Sequence, residues 1–102
     1  MRTLKPLELQ QLLQERPGAA HLLDVREDWE RQLVSIDGSQ HIPLGQLKSR
    51  VAELPLGIEL AIYCHHGMRS QQAALFLESQ GFATINLQGG INAWAAEVNP
   101  AL

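Results

Sequence analysis

Cysteine is nearly absent from this sequence of 102 residues, in which Cys64 is the only one. A single cysteine cannot form an intramolecular disulfide, which excludes the disulfide framework typical of small secreted domains. The first residues also lack the continuous apolar run of a signal peptide, because Arg2, Lys5 and Glu8 interrupt the leucines. Together these two features predict a reducing compartment, and we expect the cytoplasm.

Long apolar runs and an excess of positive charge are missing as well. No stretch approaches the roughly 20 apolar residues that span a bilayer, so we expect no membrane partner. The net charge of −3 offers no basic surface to a nucleic acid, which is therefore also excluded as a partner. Apolar residues make up 45% and charged residues 19%, as in ordinary globular proteins. The length suits one domain, residues 1–102.

What the chain does contain is an alternation of short apolar runs with longer amphipathic segments. Strands are predicted over residues 21–25, 41–43, 59–63 and 84–87, and helices over 6–15, 27–34, 44–54, 70–80 and around Trp94. Trp29 and Leu33 are expected to anchor the second helix in the core. Strands that alternate with helices predict an α/β fold with a mainly parallel sheet.

This topology predicts where the chemistry takes place. Ligands of parallel sheets bind in the crevice beyond the carboxyl ends of the strands. The strand 59–63 would bring Cys64 to that edge, and the strand 21–25 would bring Asp24 and Arg26. We interpret Asp24 and Arg26 as a supporting ion pair beneath the loop that follows Cys64.

The loop after the strand 59–63 is the most informative segment of the sequence. Its residues are Cys64, His65, His66, Gly67, Met68, Arg69 and Ser70. The loop joins an apolar strand to an amphipathic helix, so its backbone N–H groups should face a space that favours anions. Gly67 permits a tight cradle, and Arg69 adds a permanent positive charge at the rim. This pattern predicts a nucleophilic cysteine that acts on an anionic substrate or intermediate.

The loop resembles the active-site loop of rhodanese-like domains. Three further segments resemble landmarks of the same family in the same order, namely residues 22–27 with Glu30, residues 41–45 and residues 87–94. The resemblance implies a rhodanese-like α/β fold with about five mainly parallel strands and helices on both faces of the sheet.

The resemblance also implies an activity, that of a thiosulfate sulfurtransferase. Cys64 would take the outer sulfur of thiosulfate or a persulfide donor, and then pass it to cyanide, a thiol or a protein acceptor. The N–H groups of residues 65–70 would hold the Cys64 persulfide, and Arg69 would attract the donor's charge. No cofactor is implied. No metal site is predicted, because the adjacent His65 and His66 point apart and the other histidines lie on other segments.

Two other classes of function stay open at this point. Cysteine phosphatases and arsenate reductases also pair a cysteine with an arginine, but related phosphatase loops are one residue longer than the four residues between Cys64 and Arg69. A shorter loop makes a smaller cradle, which favours sulfur over phosphate. The second class is a non-enzymatic binding or sulfur-carrier module, since fold alone does not decide function. Binding members of this fold typically lack the cysteine.

Overall fold

The computed structural model describes residues 1–102, and its centre is a five-stranded sheet. The strands are β1 (Arg2–Leu4), β2 (Ala20–Asp24), β3 (Gln40–His41), β4 (Glu59–Tyr63) and β5 (Thr84–Leu87). They lie in the order β1-β5-β4-β2-β3, and every neighbouring pair is parallel. The predicted α/β fold with a parallel sheet is confirmed.

Five α-helices accompany these strands; four connect them and the fifth follows β5. They are α1 (Pro6–Glu15), α2 (Asp28–Leu33), α3 (Leu47–Arg50), α4 (Met68–Ser79) and α5 (Gly90–Glu97). The longest, α4, has 12 residues, and none of the helices combines the length and the apolar character needed to cross a membrane. The single helix predicted over 44–54 is wrong, because two 3-10 turns flank α3 there. Gly45 weakens the start of this segment as a helix, and Pro55 follows its end.

Helices cover both faces of the sheet, as predicted. On one face, Leu60 and Ile62 of β4 belong to a core cluster that includes residues of α3 and α4. On the other face, Ala61 and Tyr63 belong to a second cluster with residues of α1 and α5. A strand buried on both sides must be apolar at successive positions, which explains the continuous apolar run of β4.

Strand β1 is the element that the sequence pattern did not predict. It pairs in parallel with β5, placing Arg2 opposite Ile85 and Leu4 opposite Leu87. An edge strand of three residues with two polar side chains has neither the length nor the apolar character of the predicted strands. Residues 2–4 therefore form a strand because they pair with β5.

Helix α2 also differs from the prediction, since neither of its expected anchors is buried. Trp29 is 65% exposed and Leu33 is 76% exposed. The buried residue of α2 is Glu30, at 6% exposure, so the inward face of this short helix is polar. Trp94 of α5, in contrast, packs in the core as predicted.

Candidate active site

Cys64 directly follows β4, at the carboxyl edge of the sheet, and is 1% exposed. The backbone N–H of Gly67 donates a hydrogen bond to its Sγ at 3.0 Å. Gly67 has a φ of +116°, in the left-handed region that favours glycine, and it caps the start of α4. The chain therefore turns back on the cysteine sulfur within three residues, with a backbone donor aimed at it.

The hydroxyl of Ser70 is a second polar group beside the sulfur. The distance between Ser70 Oγ and Cys64 Sγ is 3.4 Å. The same hydroxyl contacts the side-chain oxygen of Asn86 and the carbonyl oxygen of Gly67. A serine hydroxyl has one proton, so a sulfur anion would compete with these two acceptors for it. Sequence reasoning missed Asn86, although a polar residue inside the apolar strand β5 was an available signal.

The start of α5 fixes the loop from outside the sheet. The N–H groups of Ile91 and Asn92 donate to the carbonyl oxygens of Cys64 and His65 at 2.8 and 3.2 Å. Gly90 lies so close that a Cβ atom there would collide with those two oxygens. The absence of a side chain at Gly90 therefore makes the close approach between α5 and the loop possible.

Arg69 forms a two-pronged ion pair with Glu30. Its Nη1 and Nη2 donate to the two carboxylate oxygens at 2.6 and 2.8 Å. The hydrogen bonds from Arg69 are the main reason that the pKa of Glu30 falls to about 2. The same bonds raise the pKa of Arg69. The charge that Arg69 brings to the rim of the loop is therefore paired with Glu30.

Asp24 and Arg26 form the predicted ion pair and are buried, at 0% and 2% exposure. Arg26 Nε and Nη2 donate to the Asp24 carboxylate at 2.9 and 2.8 Å. Arg26 Nη2 also donates to the carbonyl oxygen of Val34, just after α2, at 2.6 Å. The pair therefore joins the end of β2 to α2. It supports the helix that carries Glu30.

The remaining residues of the predicted loop lie at the surface. His65 and His66 are exposed, and their rings meet edge to face with centroids 4.0 Å apart, so the expectation that these two side chains point apart is wrong. Met68 is 77% exposed. No group of three or more histidine, cysteine, aspartate or glutamate side chains is placed to hold a metal ion. The structure thus brings Gly67 and Ser70 to the sulfur, pairs Arg69 with α2, and leaves the two histidines and Met68 on the outside.

A buried thiol at a strand–helix junction, with a backbone donor and a hydroxyl beside it, defines a cysteine-centred site on a parallel α/β fold. Known proteins agree with this class. The model of the rhodanese-like domain family matches residues 5–97. The chain belongs to the rhodanese-like family.

Individual relatives and solved structures cover most of the chain. YtwF of Bacillus subtilis, whose name describes it as a candidate sulfurtransferase, is 38% identical over 80 residues, which is 78% of each protein. The thiosulfate sulfurtransferase GlpE of Ectopseudomonas mendocina is 33% identical over 97 residues, covering 94% of this chain and 89% of GlpE. The crystal structure of a rhodanese-related protein from Thermoplasma volcanium superposes with a TM-score of 0.88 at 32% identity, covering 98% and 96% of the two chains. The relatives support a general assignment to the rhodanese sulfurtransferases.

Proposed function

We propose that this protein transfers sulfane sulfur through a persulfide on Cys64. The observation that carries the proposal is the 3.0 Å hydrogen bond from the Gly67 N–H to Cys64 Sγ. A donor that is fixed before the reaction stabilises negative charge on the sulfur without the cost of reorganising the loop. The Ser70 hydroxyl, 3.4 Å from Sγ, is a second group that can donate to a sulfur anion.

The transfer takes two displacement steps. The Cys64 thiolate attacks the outer sulfur of a donor such as thiosulfate, and a new bond forms between Sγ and that sulfur. The bond between the outer and inner sulfur atoms of thiosulfate breaks, and its electron pair leaves with sulfite. A thiolate, cyanide or a protein acceptor then attacks the outer persulfide sulfur, and the Cys64 thiolate leaves. Both steps conserve charge and need no cofactor or external oxidant.

A cysteine phosphatase is the weaker alternative for this loop. With only four residues between Cys64 and Arg69, and with Arg69 bonded to Glu30, the cradle is small and its arginine is already paired. Such a loop suits one terminal sulfur better than a tetrahedral oxyanion. We therefore expect negligible turnover of an aryl phosphate. A cytoplasmic setting, where thiols stay reduced, would keep Cys64 ready for sulfur transfer.

Thiocyanate production from thiosulfate and cyanide tests the proposal. We expect Cys64→Ser to abolish it, because a serine hydroxyl is a far weaker nucleophile toward sulfur. The matched control combines Cys64→Ser with Ser49→Cys, which returns one thiol at an exposed position away from the loop. Thiocyanate production at the original rate in either variant would contradict Cys64 as the sulfur carrier.

A further inference from the structure

An apolar groove with a volume of about 230 Å³ lies beside the loop that follows Cys64. It runs between α2 and α5 and meets the loop at His65. Its lining includes Trp29 and Leu33, which are 65% and 76% exposed, together with Ile91 and Ala95. Two large, solvent-exposed apolar side chains in a groove that reaches His65, the residue after Cys64, indicate a surface for an apolar ligand.

The charges in this groove are already compensated. Arg26 and Glu30 both line it, but Arg26 is bonded to Asp24 and Glu30 is bonded to Arg69. The carboxylate of Glu27 adds a further negative charge near Arg69. A dianion such as thiosulfate therefore finds no free cation among these groups. An uncharged apolar group, in contrast, can pack against the apolar lining and needs no free cation.

We infer that the groove makes this protein prefer a small organic sulfane-sulfur donor, whose outer sulfur is attached to an apolar group, over inorganic thiosulfate. The inference rests on the proposed sulfur transfer and names the donor class for the same site. A groove of this volume is smaller than the roughly 300–1,000 Å³ pockets of drug-sized ligands, so it suits a group of the size of one aromatic ring. The groove binds that ring while the donor's outer sulfur reaches Cys64.

Benzenethiosulfonate is a suitable probe because it undergoes the same reaction as thiosulfate with one charge fewer and one ring more. The Cys64 thiolate bonds to the outer sulfur, the bond to the sulfonyl sulfur breaks, and the electron pair leaves with benzenesulfinate. The product is the same Cys64 persulfide that thiosulfate gives. A difference in kcat/KM between the two donors therefore reports on recognition of the group attached to the outer sulfur.

The test is to measure kcat/KM for both donors, with cyanide as acceptor, at fixed ionic strength. We expect Trp29→Ala and Leu33→Ser each to lower the ratio of benzenethiosulfonate to thiosulfate kcat/KM about fivefold to tenfold, because each removes apolar contact with the ring. The matched control is Leu56→Ser, at a leucine that is 84% exposed and does not line the groove, and it should leave the ratio unchanged. We expect Glu30→Gln to lower the same ratio by freeing the charge of Arg69 for thiosulfate.

The outcomes separate this inference from the proposed function. If both donors react and the ratio is the same in Trp29→Ala, Leu33→Ser and the original protein, the groove does not select the donor and the inference is wrong. If neither donor yields thiocyanate, sulfur transfer itself is refuted, and the inference with it. If the ratio falls as the protein concentration rises and the protein dimerises, a second copy of this chain occupies the groove and the inference is wrong.

Discussion

At the scale of single residues, Glu30 connects two parts of the molecule that are distant in sequence. It lies on α2, and its carboxylate accepts both Nη hydrogen bonds of Arg69 at the start of α4. Its side chain is 8% exposed, whereas that of Arg69 is 34% exposed. Because Arg69 is the main cause of the lowered pKa of this mostly buried carboxylate, the stability that the contact contributes depends on pH.

The first prediction concerns that sensitivity. The pKa of Glu30 falls from 4.5 to about 2 in the folded protein, so the unfolded chain takes up the proton first as the pH decreases. The stabilisation is complete above pH 4.5 and is lost as the pH falls toward 2. Between pH ~6 and ~3 we expect the free energy of unfolding to fall by about 1–2 kcal/mol more than in Glu30→Gln, after allowing for the exposure of Arg69.

Urea denaturation at the two pH values measures this difference. Glu97→Gln is the matched control, because Glu97 is exposed and its side chain forms neither a hydrogen bond nor an ion pair, so its loss should leave the pH dependence unchanged. If the original protein and Glu30→Gln show the same pH dependence, the ion pair with Arg69 does not lower the pKa of Glu30.

Some site residues could be predicted from the sequence and others could not, for a physical reason. Cys64 and Gly67 are recognisable because their chemistry and backbone freedom are local properties of a loop. The pairing of Arg69 with Glu30, 39 positions away, depends on how α2 packs over the sheet. The contact between Ser70 and Asn86 likewise forms only when α4 lies beside β5. Tertiary contacts of this kind have no local signature.

At the scale of elements, two helices hold the loop at its two ends. Helix α4 begins immediately after Gly67, whose N–H bonds to the sulfur. Helix α5 begins at Gly90 and binds the carbonyl oxygens of Cys64 and His65 through the N–H groups of its first turn. The position of Cys64 therefore depends on the close packing of α5 as well as on the loop itself.

The second prediction tests that packing with Gly90→Ala. A methyl group there collides with two backbone oxygens, so α5 or the loop must move. Gly57→Ala is the matched control, because Gly57 also has a positive φ, +77°, but no atom within 4 Å of the added methyl. The strain of the left-handed backbone alone costs about 1–2 kcal/mol.

We expect Gly57→Ala to lose about that much stability in thermal unfolding and to keep its sulfur transfer. We expect Gly90→Ala to be less stable than Gly57→Ala and to lose at least tenfold in kcat/KM, because a small misplacement of a nucleophile is costly. Equal stability and full sulfur transfer in the two variants would refute the role of α5 as a support for the loop.

Elements were predictable where the pattern was long and regular. Helix α1 and strand β4 have the predicted bounds, 6–15 and 59–63, because their apolar residues follow a clear period or an unbroken run. The segment 44–54 was not predictable as three short turns, since its apolar spacing also fits one helix. The exposure of Trp29 was not predictable either, because a large apolar residue is usually buried unless it belongs to a binding surface.

At the scale of the whole molecule, the sheet divides the interior into two apolar clusters that share their strands. One cluster contains Leu60 and Ile62, the other Ala61 and Tyr63, all from β4. Because β4 contributes side chains to both clusters, a loss of packing in one cluster disturbs a strand that the other cluster shares. We therefore propose that residues 1–102 fold and unfold as one unit.

The third prediction is a single cooperative unfolding transition in urea. Trp29→Phe leaves Trp94, which is 7% exposed, as the only tryptophan, so its fluorescence reports on the cluster between the sheet and α5. Far-ultraviolet circular dichroism reports on all helices and strands. We expect the two signals to change together; midpoints that differ would show that the two faces of the sheet unfold separately.

The central claim, that Cys64 carries the transferred sulfur, is tested most directly by mass spectrometry of the intact protein followed by peptide mapping. Thiosulfate or benzenethiosulfonate should add the mass of one sulfur atom, located on the peptide that contains Cys64, and cyanide should remove it with the release of one thiocyanate. The added sulfur should be absent from Cys64→Ser. A protein that turns over either donor while Cys64 never gains a sulfur atom would contradict the persulfide mechanism.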